Sequence, residues 1–372
     1  MILKHLNLTK VINARGVFTP LGVSKSSSNV IEAVSTALSK HVIMEELHEA
    51  ASRQISQYTG AEAATIVHCT AAAITLTIAA TMTGTSKILI DKLPETTGLK
   101  SRVILPAIHA VNYGQPIEQA VRLSGAKPHL VGNEAACSIE EISAACSDDT
   151  TCCLLLVSSR LVVGDPIDLS HAVNAAHAHG VPVIIDGAAQ DFRLTDLLET
   201  GADAVLVSGQ KCLASPTAGL VIGKSELVEA VRAQDKGIGR GMKASKEAIM
   251  GVIAAIEQRQ QLDIEAWKIS QAEKVNRFVS KANAFEGISA IVVPDPTQLP
   301  FERAHLCFDP QSCQITAIRL ADAFRAGDPS IWVMDHLASK NELVFELVQL
   351  SENEIDHILA RLNELVNAST PK

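Results

Sequence analysis

Two side chains near the middle of the 372-residue chain could do covalent chemistry together, Asp186 and Lys211. They lie in the stretch Val181 to Gly223, VPVIIDGAAQDFRLTDLLETGADAVLVSGQKCLASPTAGLVIG. Its three short β-branched runs, Pro182–Ile185, Ala204–Val207 and Gly219–Ile222, each stop at a turn or polar signal. Buried strands of a mostly parallel sheet have this pattern. Asp186 ends the first run, and Ser208-Gly209-Gln210 followed by Lys211 ends the second. Open α/β sheets keep their ligand crevices just past the carboxyl ends of strands. The separation of the two residues leaves room for one helix and a return strand, so the two strand ends can be neighbours. A lysine amine forms a Schiff base with an aldehyde cofactor, and pyridoxal phosphate also needs an acid on its pyridinium nitrogen. Taken singly, an aspartate here is a helix cap and a loop lysine is solvated. Taken together, with Gly187-Ala188-Ala189 small enough for a flat ring to lie against the strand, they point to that cofactor.

The blocks DGAAQ, SGQK and TAGLVIG, with GIGRGMKASKEAIMGVIAAIE at 237–257, carry a family resemblance. They resemble the pyridoxal-phosphate enzymes of the aspartate-aminotransferase fold (fold type I). Within these the chain is most similar to the family of bacterial selenocysteine synthase and D-glucosaminate-6-phosphate ammonia-lyase, from about Val11 to about Leu365. The resemblance implies an α/β fold, with a mostly parallel seven-stranded sheet, helices on both faces and a small α+β C-terminal domain. The expected division is 1–44 as N-terminal arm and helix, 45–260 as the large cofactor-binding domain and 261–372 as the small domain. The cofactor implied is pyridoxal 5′-phosphate, and the assembly implied is a homodimer or larger homo-oligomer.

Lys211 and Asp186 are the expected catalytic residues. In AEAATIVHCTAAAITLTIAATMTG (61–84) a strand, Ala64–His68, gives way to an Ala- and Ile-rich helix with Thr70 as its expected N-cap. Orphan N–H groups and the macrodipole make a helix start an anion site. On its own this is an ordinary buried helix; with Lys211 downstream, Cys69, Thr70 and Ala71 become a phosphate cradle. Family members commonly carry a Ser-Gly or similar pair where this chain has His68-Cys69-Thr70. Beyond strand Val103–Leu105, His109 is the expected residue over the cofactor's outer face, the alternative being a surface helix start; Tyr113 lies in the same region. Ala188 lies against the ring, Gln190 is placed to donate to its phenolic oxygen, and Ser208 to reach the phosphate. Arg160, after the strand in TCCLLLVSSR, is either a loop arginine or a bidentate partner for a substrate carboxylate or phosphate. In GIGRGMK, Arg240 and Lys243 put positive charge on a glycine-freed loop. They are expected at a substrate or cofactor phosphate, across a subunit interface in one arrangement. The arm VINARGVFTPLGVSKSSSNV (11–30) resembles a family segment that lines a neighbouring subunit's site, with Asn13 and Thr19 as substrate-binding candidates.

Composition narrows the alternatives. Hydrophobic residues make up 47% and aromatics only 3%, which suits Ala, Val, Ile and Leu packing helices onto a parallel sheet. The net charge of −9 argues against a nucleic-acid surface, which needs clustered Lys and Arg. No apolar run approaches the length of about 18 residues that a membrane span needs. The N-terminus MILKHLNLTK has no hydrophobic signal core. The eight cysteines show no CxxC pair and no zinc spacing, so buried free thiols, a cytoplasmic location and no metal site are expected.

Around the site, helices are expected from near Val30, capped by Ser28 or Asn29, over Glu45–Tyr58, Leu169–His179 and Ser225–Gln234, and as one long helix from about Lys246 to Val279. Lys127–Val131 reads as a strand. ISAIVVPD, RAHLCFD, IWVMDH and LVFELVQL read as one antiparallel sheet, flanked by helical spacing in ITAIRLADAFRAGDPSIWV and ENEIDHILARLNELV.

The resulting expectation is a lyase acting on a small hydroxyamino acid or amino-sugar acid. Lys211 takes the α-proton, and β-elimination gives a keto acid and ammonia. The alternatives are selenium transfer onto seryl-tRNA, disfavoured by charge and by chain length; a racemase or aldolase; and a homologue that binds the cofactor without turnover.

Overall fold

The computed structural model describes residues 6–158, 162, 164–313 and 315–367. Its strands in chain order are β1 (Val11–Ala14), β2 (Ala63–Val67), β3 (Arg102–Pro106), β4 (Lys127–Val131), β5 (Thr151–Val157), β6 (Val183–Asp186), β7 (Ala204–Ser208), β8 (Gly219–Gly223), β9 (Ile288–Pro294), β10 (Glu302–Phe308), β11 (Ser330–Val333) and β12 (Glu342–Phe345). The chain divides into two compact units, Ser26–Gln261 and Met1–Lys25 together with Leu262–Lys372.

The larger unit is built on a seven-stranded sheet in the order β2-β8-β7-β6-β5-β3-β4. β7, β6, β5, β3 and β4 pair in parallel, and β8 runs antiparallel between β2 and β7. The strands β5 to β8 are buried along their whole length, which is why they read as unbroken apolar runs. Their alternation divides the core in two. Ile185, Val205, Leu220 and Ile222 pack with the helices Ser28–Leu38, Met44–Thr59 and Lys246–Gln260, whereas Ile184, Leu206 and Val221 pack with the helix Thr70–Thr83. Each such fully buried branched side chain contributes about 1.5–3 kcal/mol relative to exposure.

Two helix starts differ from expectation. The first helix is Ser28–Leu38, capped by Ser27, whose Oγ accepts from the Val30 N–H at 3.4 Å, so Ser28 and Asn29 are already helical. The expected single helix from Lys246 to Val279 is two helices, Lys246–Gln260 and Ile264–Ala282. Asp263 takes an extended conformation and its Oδ1 accepts from the Ala266 N–H at 3.0 Å, which starts a second helix where apolar periodicity alone suggests continuity.

In the smaller unit β12, β10 and β9 form an antiparallel sheet. Its core centres on Phe345, 5.2 Å from the Phe278 ring and edge-on to Phe324 at 6.4 Å. The IWV segment does not join that sheet. β11 pairs in parallel with β1 from the N-terminal arm, with Asn13 opposite Trp332, and only an isolated bridge links Met334 to Val344. No helix among the described residues is long and apolar enough to cross a membrane.

Candidate active site

Asp186 is the last residue of β6 and is 3% exposed. Its Oδ1 accepts from the Ala188 N–H at 3.0 Å, and the Ala188 carbonyl in turn accepts from the Ser208 N–H at 3.0 Å. That link ties the end of β6 to the end of β7, whose register sets Asp186 beside Leu206. Lys211 follows in the turn after Ser208, with its N–H on the Ser208 carbonyl at 3.4 Å. Burial holds the Asp186 carboxyl above the usual carboxylate range, against the smaller opposing pulls of the Lys211 charge and the Ala188 N–H. A carboxylate so deep keeps its charge only beside a cation. Gln190, 1% exposed, closes the turn after Asp186 with its N–H on the Gly187 carbonyl at 2.8 Å.

The helix Thr70–Thr83 starts with Cys69 as its N-cap residue and no side-chain cap, so Thr70 is its first helical residue rather than its cap. The Thr70 Oγ1 is buried and has no protein hydrogen-bond partner. Ala71 follows in the first turn. Gly219 of β8 runs against this start: a Cβ there would lie 2.4 Å from the Cys69 carbonyl atoms and 2.8 Å from the Thr70 nitrogen. Only glycine permits that approach. The glycine was not among the expected site residues, because the contact joins segments about 150 residues apart. The GIGRGMK loop is pinned to the same strand end: the His68 N–H donates to the Met242 carbonyl at 2.8 Å, and Lys243 bridges Val67. Arg240 and Lys243 are both exposed there.

His109 ends the 3-10 turn Ala107–His109 after β3 and is fully buried. Its Nδ1 accepts from the Val157 N–H at 3.2 Å, which leaves the proton of the neutral ring on Nε2, and that atom is buried without a protein partner. Burial drives its pKa down to about 4 against the weaker opposing pull of Asp165, so the ring is neutral near pH 7. Tyr113, not among the expected site residues, has its phenol pushed well up by burial, then by Asp186 and Cys69 nearby, although its ring is partly exposed. Its placement beyond a strand end was the available signal. Ser158 Oγ donates to Asp165 Oδ1 and Arg193 Nη2 to Asp165 Oδ2, both at 2.7 Å. Arg160 lies outside the described residues.

Beneath the Lys211 turn lies a buried ion pair. Arg259 Nη2 reaches Asp191 Oδ2 at 2.8 Å and the Cys212 carbonyl at 3.0 Å, with its guanidinium 3.8 Å from the centre of the Phe192 ring. It joins the segment after Asp186 to the residue next to Lys211. Asn13 and Thr19 belong to the smaller unit. Asn13 holds its own turn, with Nδ2 donating to the Gly16 carbonyl at 2.8 Å and Oδ1 accepting from the Arg15 N–H at 3.0 Å. Thr19 is exposed and opens the turn Thr19–Leu21.

A buried acid at one strand end and a lysine past the next suit a pyridinium and an aldehyde. The unpartnered Thr70 hydroxyl at an uncapped helix start suits a phosphate. This fold and donor set define a pyridoxal-phosphate enzyme of fold type I, and pyridoxal 5′-phosphate is its cofactor. The family model described as Aminotransferase class-V matches residues 22–298. The chain belongs to that family. It is 32% identical to a Streptomyces 5′-C-glycyluridine monooxygenase-decarboxylase, over 98% of this chain and 91% of that one. It is 29% identical to the D-glucosaminate-6-phosphate ammonia lyase of Salmonella typhimurium, over 98% of this chain and 97% of the relative. The solved structure of a D-glucosaminate-6-phosphate ammonia-lyase superposes with a TM-score of 0.91 at 28% identity, covering 99% of both chains.

Proposed function

We propose that the chain is a pyridoxal-phosphate-dependent carbon–nitrogen lyase that converts a small hydroxyamino acid or amino-sugar acid to a 2-oxo acid and ammonia. The observation that carries this reading is the placement of Lys211 just past the end of the strand beside the one that ends in buried Asp186. The full-length similarity to ammonia-lyases supports the choice of reaction.

In this reading Lys211 Nζ would be the amine that holds the cofactor aldehyde and, once released, the base that takes the substrate's α-proton. Asp186 accepts a hydrogen bond from the ring nitrogen and keeps it protonated. The Thr70 hydroxyl and the N–H groups of Thr70 and Ala71 hold the phosphate, with Cys69 at the cap and Ser208 alongside. His109 covers the ring, Ala188 backs it and Gln190 serves its phenolic oxygen. When bound, pyridoxal phosphate would supply an electron sink for the charge left at the α-carbon, and the β-hydroxyl would leave as water. Addition of water then releases ammonia, so the net change is amino acid to 2-oxo acid plus ammonia. Arg240, Lys243 and Arg160 offer positive charge to a substrate phosphate or carboxylate, and Asn13 and Thr19 of the arm would contact the substrate of a neighbouring subunit. A homo-oligomeric, cytoplasmic enzyme belongs to the same reading.

The test is a screen of D- and L-hydroxyamino acids and amino-sugar acids, with and without a terminal phosphate, for equal release of 2-oxo acid and ammonia. The reading predicts such release without oxygen uptake. A cofactor-loaded protein that releases neither from any of them contradicts it. The 32% identity to a monooxygenase-decarboxylase favours a second reading, oxidation of an α-amino acid by molecular oxygen with loss of its carboxylate. Oxygen uptake coupled to carbon dioxide release would select it.

A further inference from the structure

The expected absence of a metal site rested on sequence spacing, and sheet pairing brings distant residues together. In β10 Ala304, Leu306 and Phe308 are buried in the core of the smaller unit. Alternation therefore puts His305 and Cys307 on the opposite face of the strand. On β12, Glu342 is the direct partner of Cys307. His305 Nε2 lies 3.1 Å from Glu342 Oε2, and the imidazole nitrogen, the Cys307 Sγ and a Glu342 carboxylate oxygen all fall within 4.8 Å of one another. All three residues are half-buried. A histidine facing a glutamate is an ordinary cross-strand ion pair, but it has no need of a thiol as a third donor on the same face. Among the described residues this is the one grouping of three or more such donors.

We propose that His305, Cys307 and Glu342 form a site for a zinc-class divalent transition metal. The donor set is one imidazole, one thiolate and one carboxylate, which together suit borderline-soft Zn²⁺ and select against Mg²⁺ and Ca²⁺. Thiolate and carboxylate carry two negative charges, so the dication leaves the site neutral. Tetrahedral zinc with bonds of about 2.0–2.3 Å sets its ligand atoms roughly 3.3–3.7 Å apart. The imidazole–carboxylate pair is already that close, and the thiol needs only a side-chain adjustment of about 1 Å. Three protein ligands leave the fourth position to water. None of the three belongs to the proposed cofactor site.

The test uses the cofactor-loaded protein, freed of metal with a chelator and titrated with Co²⁺. The proposal predicts a thiolate-to-cobalt charge-transfer band, seen as a difference spectrum over an unchanged cofactor band. It should saturate at one cobalt per chain at micromolar metal and be displaced by Zn²⁺. Cys307→Ser abolishes it, Glu342→Gln weakens the binding at least tenfold, and Cys69→Ser and Cys212→Ser leave it intact. Circular dichroism of each variant checks that the fold is kept; should Cys307→Ser not fold, loss of the band in His305→Asn takes its place. No band in the parent protein, or a band that survives Cys307→Ser or follows Cys69 or Cys212, overturns the proposal.

Discussion

The backbone N–H of Val157 donates to His109 Nδ1 at 3.2 Å, so a strand end of the central sheet sets which nitrogen of a fully buried imidazole carries the proton. That neutral ring predicts a pH dependence. Burial lowers the His109 pKa from the ordinary 6.5 to about 4. Between those values the unfolded chain binds the proton and the folded chain does not, so stability falls as pH drops through that window. The loss reaches about 3 kcal/mol for the full shift. In urea titrations from pH 7 to pH 4, His109→Gln should lose less stability than the parent protein. Parallel curves for the two would contradict the assignment.

Thr70 separates a cofactor role from a packing role. Its hydroxyl is buried without a protein partner, so Thr70→Val should leave the thermal midpoint unchanged or slightly raised. The same change should weaken cofactor binding about tenfold, the loss of roughly one hydrogen bond to a charged group. Equilibrium dialysis against pyridoxal phosphate reads the affinity.

Gly219→Ala approaches the same cradle from below. The new methyl would press into the Cys69 carbonyl and the Thr70 nitrogen, so the helix start must shift. The expected result is a folded protein with reduced cofactor occupancy, read by absorbance per chain. Full occupancy would show that the helix start does not hold the phosphate.

Much of this arrangement was legible in the sequence because it is local. The strands that end in Asp186 and precede Lys211 are short β-branched runs closed by polar residues, and β6, β7 and β8 fall within a residue of those runs. The structure differs where one side chain overrides periodicity, as Asp263 does by starting a new helix and Ser27 by capping the first helix one residue before the nearer expected cap, Ser28. It also differs where pairing is long-range. Nothing near β11 signals that its partner is β1, and nothing near Arg259 signals that it pairs with Asp191. Gly219 looks like any strand glycine until the loop at Cys69 is laid against it.

That Arg259–Asp191 pair gives a prediction of stability. Side-chain exposures of 10% and 4% place both charges in a low-dielectric interior. Arg259→Met leaves Asp191 buried without its partner and should cost about 3–5 kcal/mol, whereas Arg259→Met with Asp191→Leu should recover most of that loss. Denaturant midpoints of the two variants decide it, and a double variant no more stable than the single one would contradict the account.

Asp186→Asn keeps the size of the side chain and its contact with the Ala188 N–H but removes the charge. The cofactor should still attach to Lys211, while turnover falls by at least about 10²-fold because the ring nitrogen is no longer held protonated. Unchanged turnover would remove Asp186 from the mechanism.

The most direct measurement is borohydride reduction of the cofactor-loaded protein, followed by proteolysis and mass spectrometry. The account predicts a pyridoxyl phosphate group on the peptide that contains Lys211, at one per chain, and none on the Lys211→Ala variant. A label fixed on a different lysine, or no label at all on protein saturated with cofactor, would contradict it.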